Sequence, residues 1–206
     1  MGKKIFGSIC IVLGIAIIVS TGTTFAYFNT AISNEENNLG TTANFNVNLN
    51  LTTIQQSTNM IPLQDTLIAT AISGTNKCID EKGYEVCSLY KITLTNNGDP
   101  FVLNGYLKTS DTTYTTGNLK YQIYDTNYTA ISDVIAPSLT ANNKVYFTKD
   151  SNVLATSINH SDIEYYLVMW ITETNTLQSA DYSKSYTGLV GFEAISGERI
   201  EATLTT

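Results

Sequence analysis

Residues 44 to 51 place apolar side chains at every second position: Phe45, Val47, Leu49 and Leu51 alternate with Asn44, Asn46, Asn48 and Asn50. A strand turns successive side chains to opposite faces, so this segment predicts a half-buried β-strand. The same alternation recurs in Tyr90, Ile92 and Leu94 against Lys91, Thr93 and Thr95, and in Leu119, Tyr121 and Ile123 against Lys120 and Gln122. Further short strands read from residues 67 to 72, 101 to 107, 144 to 148, 189 to 195 and 200 to 204. Residues 163 to 172, IEYYLVMWIT, are apolar on both alternating faces, which predicts a central strand covered on both sides. A buried helix is the alternative there, opposed by the segment's length and its β-branched and aromatic content.

Polar, turn-rich segments separate these runs. Asn96-Asn97-Gly98-Asp99-Pro100 is a strong turn signal, and residues 109 to 117, dominated by Thr, Ser and Gly, read as a loop. About eight or nine short strands with such spacers predict an all-β, jelly-roll-like two-sheet sandwich. The expected organisation is one domain over residues 43 to 206, preceded by a flexible segment over residues 27 to 42 and by an N-terminal hydrophobic signal or anchor helix.

That hydrophobic segment covers residues 1 to 26. Lys3 and Lys4 precede an apolar run from Ile5 to Val19, and Thr24-Phe25-Ala26 places small residues where a signal peptidase reads them. The expected cleavage lies between Ala26 and Tyr27. The run is about 15 residues, short of the roughly 20 that span a bilayer, so a cleaved leader is favoured over a retained anchor. A membrane partner is expected only through residues 5 to 26, if they are kept. Cys10 lies inside this run and reads as an apolar filler. Without Lys3 and Lys4 the chain has 9 basic residues against 18 acidic, and its formal charge moves from −7 to −9. Scattered lysines and the single Arg199 give no basic stripe, which argues against nucleic acid.

Cys78 and Cys87 flank the polar segment IDEKGYEV and suit a disulfide-bridged hairpin or loop. Closing it would add about 2.5 to 3 kcal/mol in the chain-entropy model. Half of a metal site is the rival reading, but a lone pair at this spacing lacks the ligands zinc needs. Asp80, Glu81 and Glu85 gather carboxylates inside the same loop as a weak candidate for calcium, without a DxDxDG pattern. No cofactor is expected.

Other chemistry finds few residues. His160 is the single histidine, so no HExxH zinc site can be written, and its place in the polar stretch SINHSDIE reads as a solvated loop. Glu164, Glu173 and Glu193 fall on or beside predicted strands and are the carboxylates from which a glycosidase pair would be drawn. Tyr106, Tyr114 and Tyr128 could stack on glycans or partner proteins, although Tyr also suits half-buried strand positions. The reading is a non-catalytic chain, with a monomeric surface adhesin or glycan-binding module as the alternative.

The N-terminal stretch FAYFNTAISNEENNLGTTANFNVNL resembles the exported proteins matured by the SipW type of signal peptidase, the TasA and camelysin group of surface and biofilm-matrix proteins. Ala26, Tyr27, Phe28 and Asn29 match its cleavage region, and residues 43 to 51 match its first strand. SLYKITLTNNG, YYLVMWITETN and YTGLVGFEA are similar to later strands of these domains. The resemblance implies a jelly-roll-like sandwich whose freed N-terminal segment completes a sheet of the next subunit, with its own kind or other matrix proteins as partners. An edge strand's unpaired N–H and C=O groups make such addition physically reasonable. The competing reading keeps the 44 to 51 strand within its own domain and the chain monomeric. A camelysin-like protease would need the zinc motif this sequence lacks.

Overall fold

The computed structural model describes residues 43–205. The expected leader, its cleavage point at Ala26 and Tyr27, and most of the 27 to 42 segment lie outside the described residues. Among the described residues no helix is long and apolar enough to cross a membrane.

Two antiparallel sheets share one core. The first contains β1 (Val47–Gln55), β2 (Ser88–Asn96), β9 (Asp162–Ile171) and β4 (Leu119–Tyr124), in the order β1-β2-β9-β4. The second runs β11 (Arg199–Thr205), β10 (Tyr186–Ala194), β3 (Phe101–Thr112) and β5 (Lys144–Tyr146), with β8 (Ala155–Ile158) also on β3. A small hairpin of β6 (Thr148–Lys149) and β7 (Asn152–Val153) links β5 to β8. From β2 to β10 the chain crosses between the large sheets at each step, apart from that excursion, which is the wrapping of a jelly roll.

The alternation read from the sequence is what fills the core. Leu49, Leu51, Ile92, Leu94, Tyr121, Ile123 and Leu167 project from the first sheet and meet Leu103, Leu107, Val190, Phe192, Ala202 and Leu204 from the second. At the turn after β2, Asn96 is buried and its side-chain amide donates to the Asp99 carbonyl at 2.6 Å. A Cβ on Gly98 would stand 2.0 Å from the Asn44 carbonyl oxygen, so this turn can pack against the start of β1 only with glycine there.

β9 is covered on both faces, as its sequence requires. Its outward Val168 and Trp170 are fully buried in a second core with Leu89, Tyr124, Ile68, Ile72, Val86 and the two cysteines. This cover is the β1–β2 connection, and Cys78 and Cys87 are disulfide-bonded within it. Residues 67 to 72 correct the expectation of a strand: they form the end of a 3-10 turn (Asp65–Leu67) and the helix α1 (Ile68–Ser73). Ile68 and Ile72, four apart, are both fully buried while Thr70 between them is exposed, so the period is helical. The apolar run was too short for periodicity to separate helix from strand.

β3 also exceeds the reading of 109 to 117 as a loop, since it continues to Thr112. Thr109 points into the core, and its hydroxyl donates to the Ser138 carbonyl at 2.7 Å and lies 3.1 Å from the Tyr186 hydroxyl. A threonine so satisfied is compatible with burial that its polarity alone would not suggest.

Candidate functional site: an open flank of the sandwich

The two flanks of the sandwich are built differently. On one, β4 would be an edge, but residues 130 to 135 run along it as a strap. Tyr121 and Ile135 exchange backbone hydrogen bonds at 2.8 and 2.9 Å, and the Ile131 amide donates to the Ile123 carbonyl at 2.9 Å. The Asp133 amide donates to the Thr148 carbonyl at 2.7 Å, and the Asp133 carboxylate accepts from the Thr148 hydroxyl and the amides of Asp150 and Ser151. The strap therefore ties β4 of the first sheet to the hairpin beside β5 of the second.

On the other flank β1 and β11 end their sheets side by side. Among the described residues no backbone hydrogen bond reaches the outer edge of either strand. β1 carries alternating Val47, Leu49 and Leu51 inward, and a bulge between Thr53 and Gln55 ends its regular stretch. A row of unpaired donors and acceptors of this kind is the chemistry that another extended segment satisfies.

The outer face of the second sheet carries a polar and aromatic network. Glu193 accepts from Lys144 at 2.5 Å and from the Tyr146 hydroxyl, while the Tyr106 hydroxyl donates to Glu201 at 2.6 Å. Lys144 stands 4.4 Å over the Tyr106 ring. Tyr106 lies flat over Gly191, where a Cβ would fall 2.3 Å from the ring, so glycine at that position makes room for the tyrosine. Burial alone would raise the Glu193 carboxyl, but hydrogen bonds from Lys144 and Tyr146 outweigh it and hold the group below its ordinary value. Burial and the Glu201 carboxylate push the Tyr106 phenol up.

The residues singled out in the sequence are dispersed. Glu164 lies on the outer face of the first sheet, paired with Lys91 at 2.6 Å, whereas Glu193 lies on the outer face of the second. Glu173 is exposed beyond the end of β9. The carboxylate pair that glycoside hydrolysis would draw from these three is therefore not assembled. His160 is exposed in the loop between β8 and β9.

Asp80, Glu81 and Glu85 do not converge either. The Asp80 carboxylate caps its own turn, accepting from the amides of Lys82 and Tyr84 at 2.9 and 2.8 Å. Glu85 accepts from the Thr58 amide at 3.1 Å, and Glu81 is exposed. Among the described residues no cluster of three or more metal-ligating side chains occurs.

Tyr114 lies in the core, and Tyr128 stacks on Tyr166 at 5.0 Å with Lys77 4.2 Å from its ring. The Lys77 ammonium lowers the Tyr128 phenol below its ordinary value, whereas burial raises that of Tyr166. Sequence reading missed the strap and Asp133, because a hydrogen-bonded edge cover has no apolar period to announce it.

No known protein family matches the chain, and no curated protein does. Three solved structures are distantly similar. AvmM, which catalyses macrocyclization in alchivemycin A biosynthesis, has 11% identity and a TM-score of 0.34, over 79% of this chain and 89% of its own. The collagen-binding subdomain of the Enterococcus faecalis surface protein ACE has 10% identity and a TM-score of 0.21, over 60% of this chain and 87% of its own. A cupin-superfamily sugar phosphate isomerase from Silicibacter pomeroyi has 9% identity and a TM-score of 0.15, over 60% of this chain and 69% of its own. At these scores none of the three carries an argument about function.

Proposed function

We propose that this chain is a non-catalytic, exported structural protein of the cell surface or extracellular matrix, of the SipW-dependent kind, which self-associates by donating its N-terminal segment to a neighbour's sheet. The observation that carries the reading is the open flank. β1 is an edge strand, it is the first strand described, and the residues that precede it in sequence, 27 to 42, are continuous with it. A donated segment would pair with the outer edge of β1 or β11 and bury alternate side chains against the core between them. The buried Cys78–Cys87 bond supports export, since such bonds persist in oxidising compartments.

The test is size-exclusion chromatography with light scattering on two purified forms, one starting at Tyr27 and one at Asn44. Concentration-dependent oligomers from the first and monomers from the second are expected. Monomers from both over a wide concentration range would remove the basis for self-association.

A further inference from the structure

A cleft opens at the end of the sandwich, lined by Met60, Ile61, Tyr114, Asp181, Tyr182 and Lys184 among others. Its volume of about 70 Å³ is far below the several hundred Å³ of sites for drug-sized ligands, so it suits a small head group. Asp181 is only 3% exposed. Its carboxylate accepts from the Thr116 hydroxyl, from the Asn118 amide at 2.8 Å and from the Gln178 amide at 3.5 Å. All three donors are neutral, and neither ion pair among the described residues involves Asp181. A buried carboxylate without a cation is an incomplete arrangement, because buried charges are ordinarily paired.

Tyr114 is the second polar group at the cleft. It is 4% exposed, lines the cleft, and among the described residues its hydroxyl has no hydrogen-bond partner. Burial, then the nearby Asp181 charge, raise its phenol to about 12, so it stays a neutral donor and acceptor at physiological pH. Tyr114 and Tyr182, the latter 75% exposed, add aromatic rings to the lining, and an aromatic ring is a favourable neighbour for a cation. The loop carrying Asp181 and Tyr182 is held in place. Gln178 donates to the Thr172 carbonyl at 2.9 Å and accepts from the Thr174 amide at 2.9 Å. The chain's formal charge of −7 favours approach by cations.

We propose that this cleft binds a primary ammonium or guanidinium group on a short aliphatic stem, as at the end of a lysine or arginine side chain presented by a partner protein. The cation completes the Asp181 charge, the Tyr114 hydroxyl accepts one of its protons, and Met60 and Ile61 cover the stem. The inference is independent of strand donation and holds for a monomer as well as a polymer.

Amide NMR of the ¹⁵N-labelled protein, titrated with N-acetyl-lysinamide and separately with N-acetyl-norleucinamide, tests it. Saturable shifts at Met60, Tyr114 and residues 181 to 184 are expected with the lysine compound, weakening as salt rises, and not with the norleucine compound. Free n-butylammonium carries the same head group and stem and should compete with the lysine compound; failure to compete would overturn the proposal. Asp181→Asn is expected to abolish the response. Because that change also loosens the loop, Tyr114→Phe is the cleaner variant: it should keep the melting temperature and weaken binding about three- to tenfold, the worth of one hydrogen bond. Equal shifts with both amides would reveal an apolar recess, and no saturable shift would leave Asp181 a purely structural staple; either overturns the proposal, as does unchanged affinity in Tyr114→Phe.

Discussion

The flank closed by residues 130 to 135 and the flank left open at β1 and β11 solve the same problem in opposite ways. On the closed side the unpaired groups of β4 are taken up by a strap that is tied through Asp133 to the β6–β7 hairpin beside the second sheet. On the open side β1 has none of the devices that blunt an edge, such as proline or inward charge, apart from the bulge at its end. The outward side chains at the start of β1 are Asn48, Asn50 and Thr52, which are polar but uncharged. One flank therefore contributes to the stability of the single chain, and the other keeps its backbone groups available for pairing.

The largest expected effect breaks the closed flank from inside. Tyr121 is fully buried, meets Phe147 edge-on at 5.9 Å and donates to the Val145 carbonyl at 3.2 Å, so Tyr121→Ala should cost about 3–5 kcal/mol in urea denaturation. Next comes the cover over β9, which belongs to neither flank. Replacing Cys78 and Cys87 with serine should cost about 2.5–3 kcal/mol, read by thermal unfolding under non-reducing conditions. An equal loss of self-association in this double variant, without unfolding, would mean that the open flank depends on the cover.

A smaller, local effect is expected from acid. The Ser151 amide and the Thr148 hydroxyl, with smaller contributions from the Asp150 amide and the Lys149 charge, hold the Asp133 carboxyl below its ordinary value of 3.8 against an opposing effect of desolvation. A lowered folded-state value means that its stabilisation is complete above the unfolded value and fades as pH falls through the folded one. The amides of Asp150 and Ser151 should therefore lose hydrogen-exchange protection below about pH 4, and Asp133→Asn should remove that pH dependence. The smallest effect on stability falls on the open flank. Asn48→Lys and Thr203→Lys, at exposed positions, should each change stability by less than about 0.5 kcal/mol yet suppress oligomers in light scattering. Undiminished oligomers would move the association surface elsewhere.

What could be read from the sequence depended on whether a segment's environment leaves a period. β1, β2, β4 and β9 alternate, or are apolar throughout, because each packs on a sheet core, and they stand close to where the pattern placed them. Residues 67 to 72 do not, because six residues hold too few turns of a helix to show a stripe. β8, with Thr156 and Ile158 inward, was missed because half of its buried face is a threonine. Cys78 and Cys87 were legible as a pair from spacing and expected compartment. Asp181 and Tyr114 could not be joined by any such argument, since they lie on separate connections that only the fold brings to one cleft.

The crossing of the chain between sheets also governs the order in which the molecule can form. β2 is bonded from Ser88 to Thr95 to β9, with Ser88 opposite Met169, so the centre of the first sheet cannot close until β9 is present. Pairings between segments so far apart in sequence are slow to nucleate. Cys78 and Cys87, by contrast, emerge early and only nine positions apart. In an oxidising compartment they can join before β9 has found its place between β2 and β4. The helical cover would then be a preassembled clasp, waiting for the strand it will bury.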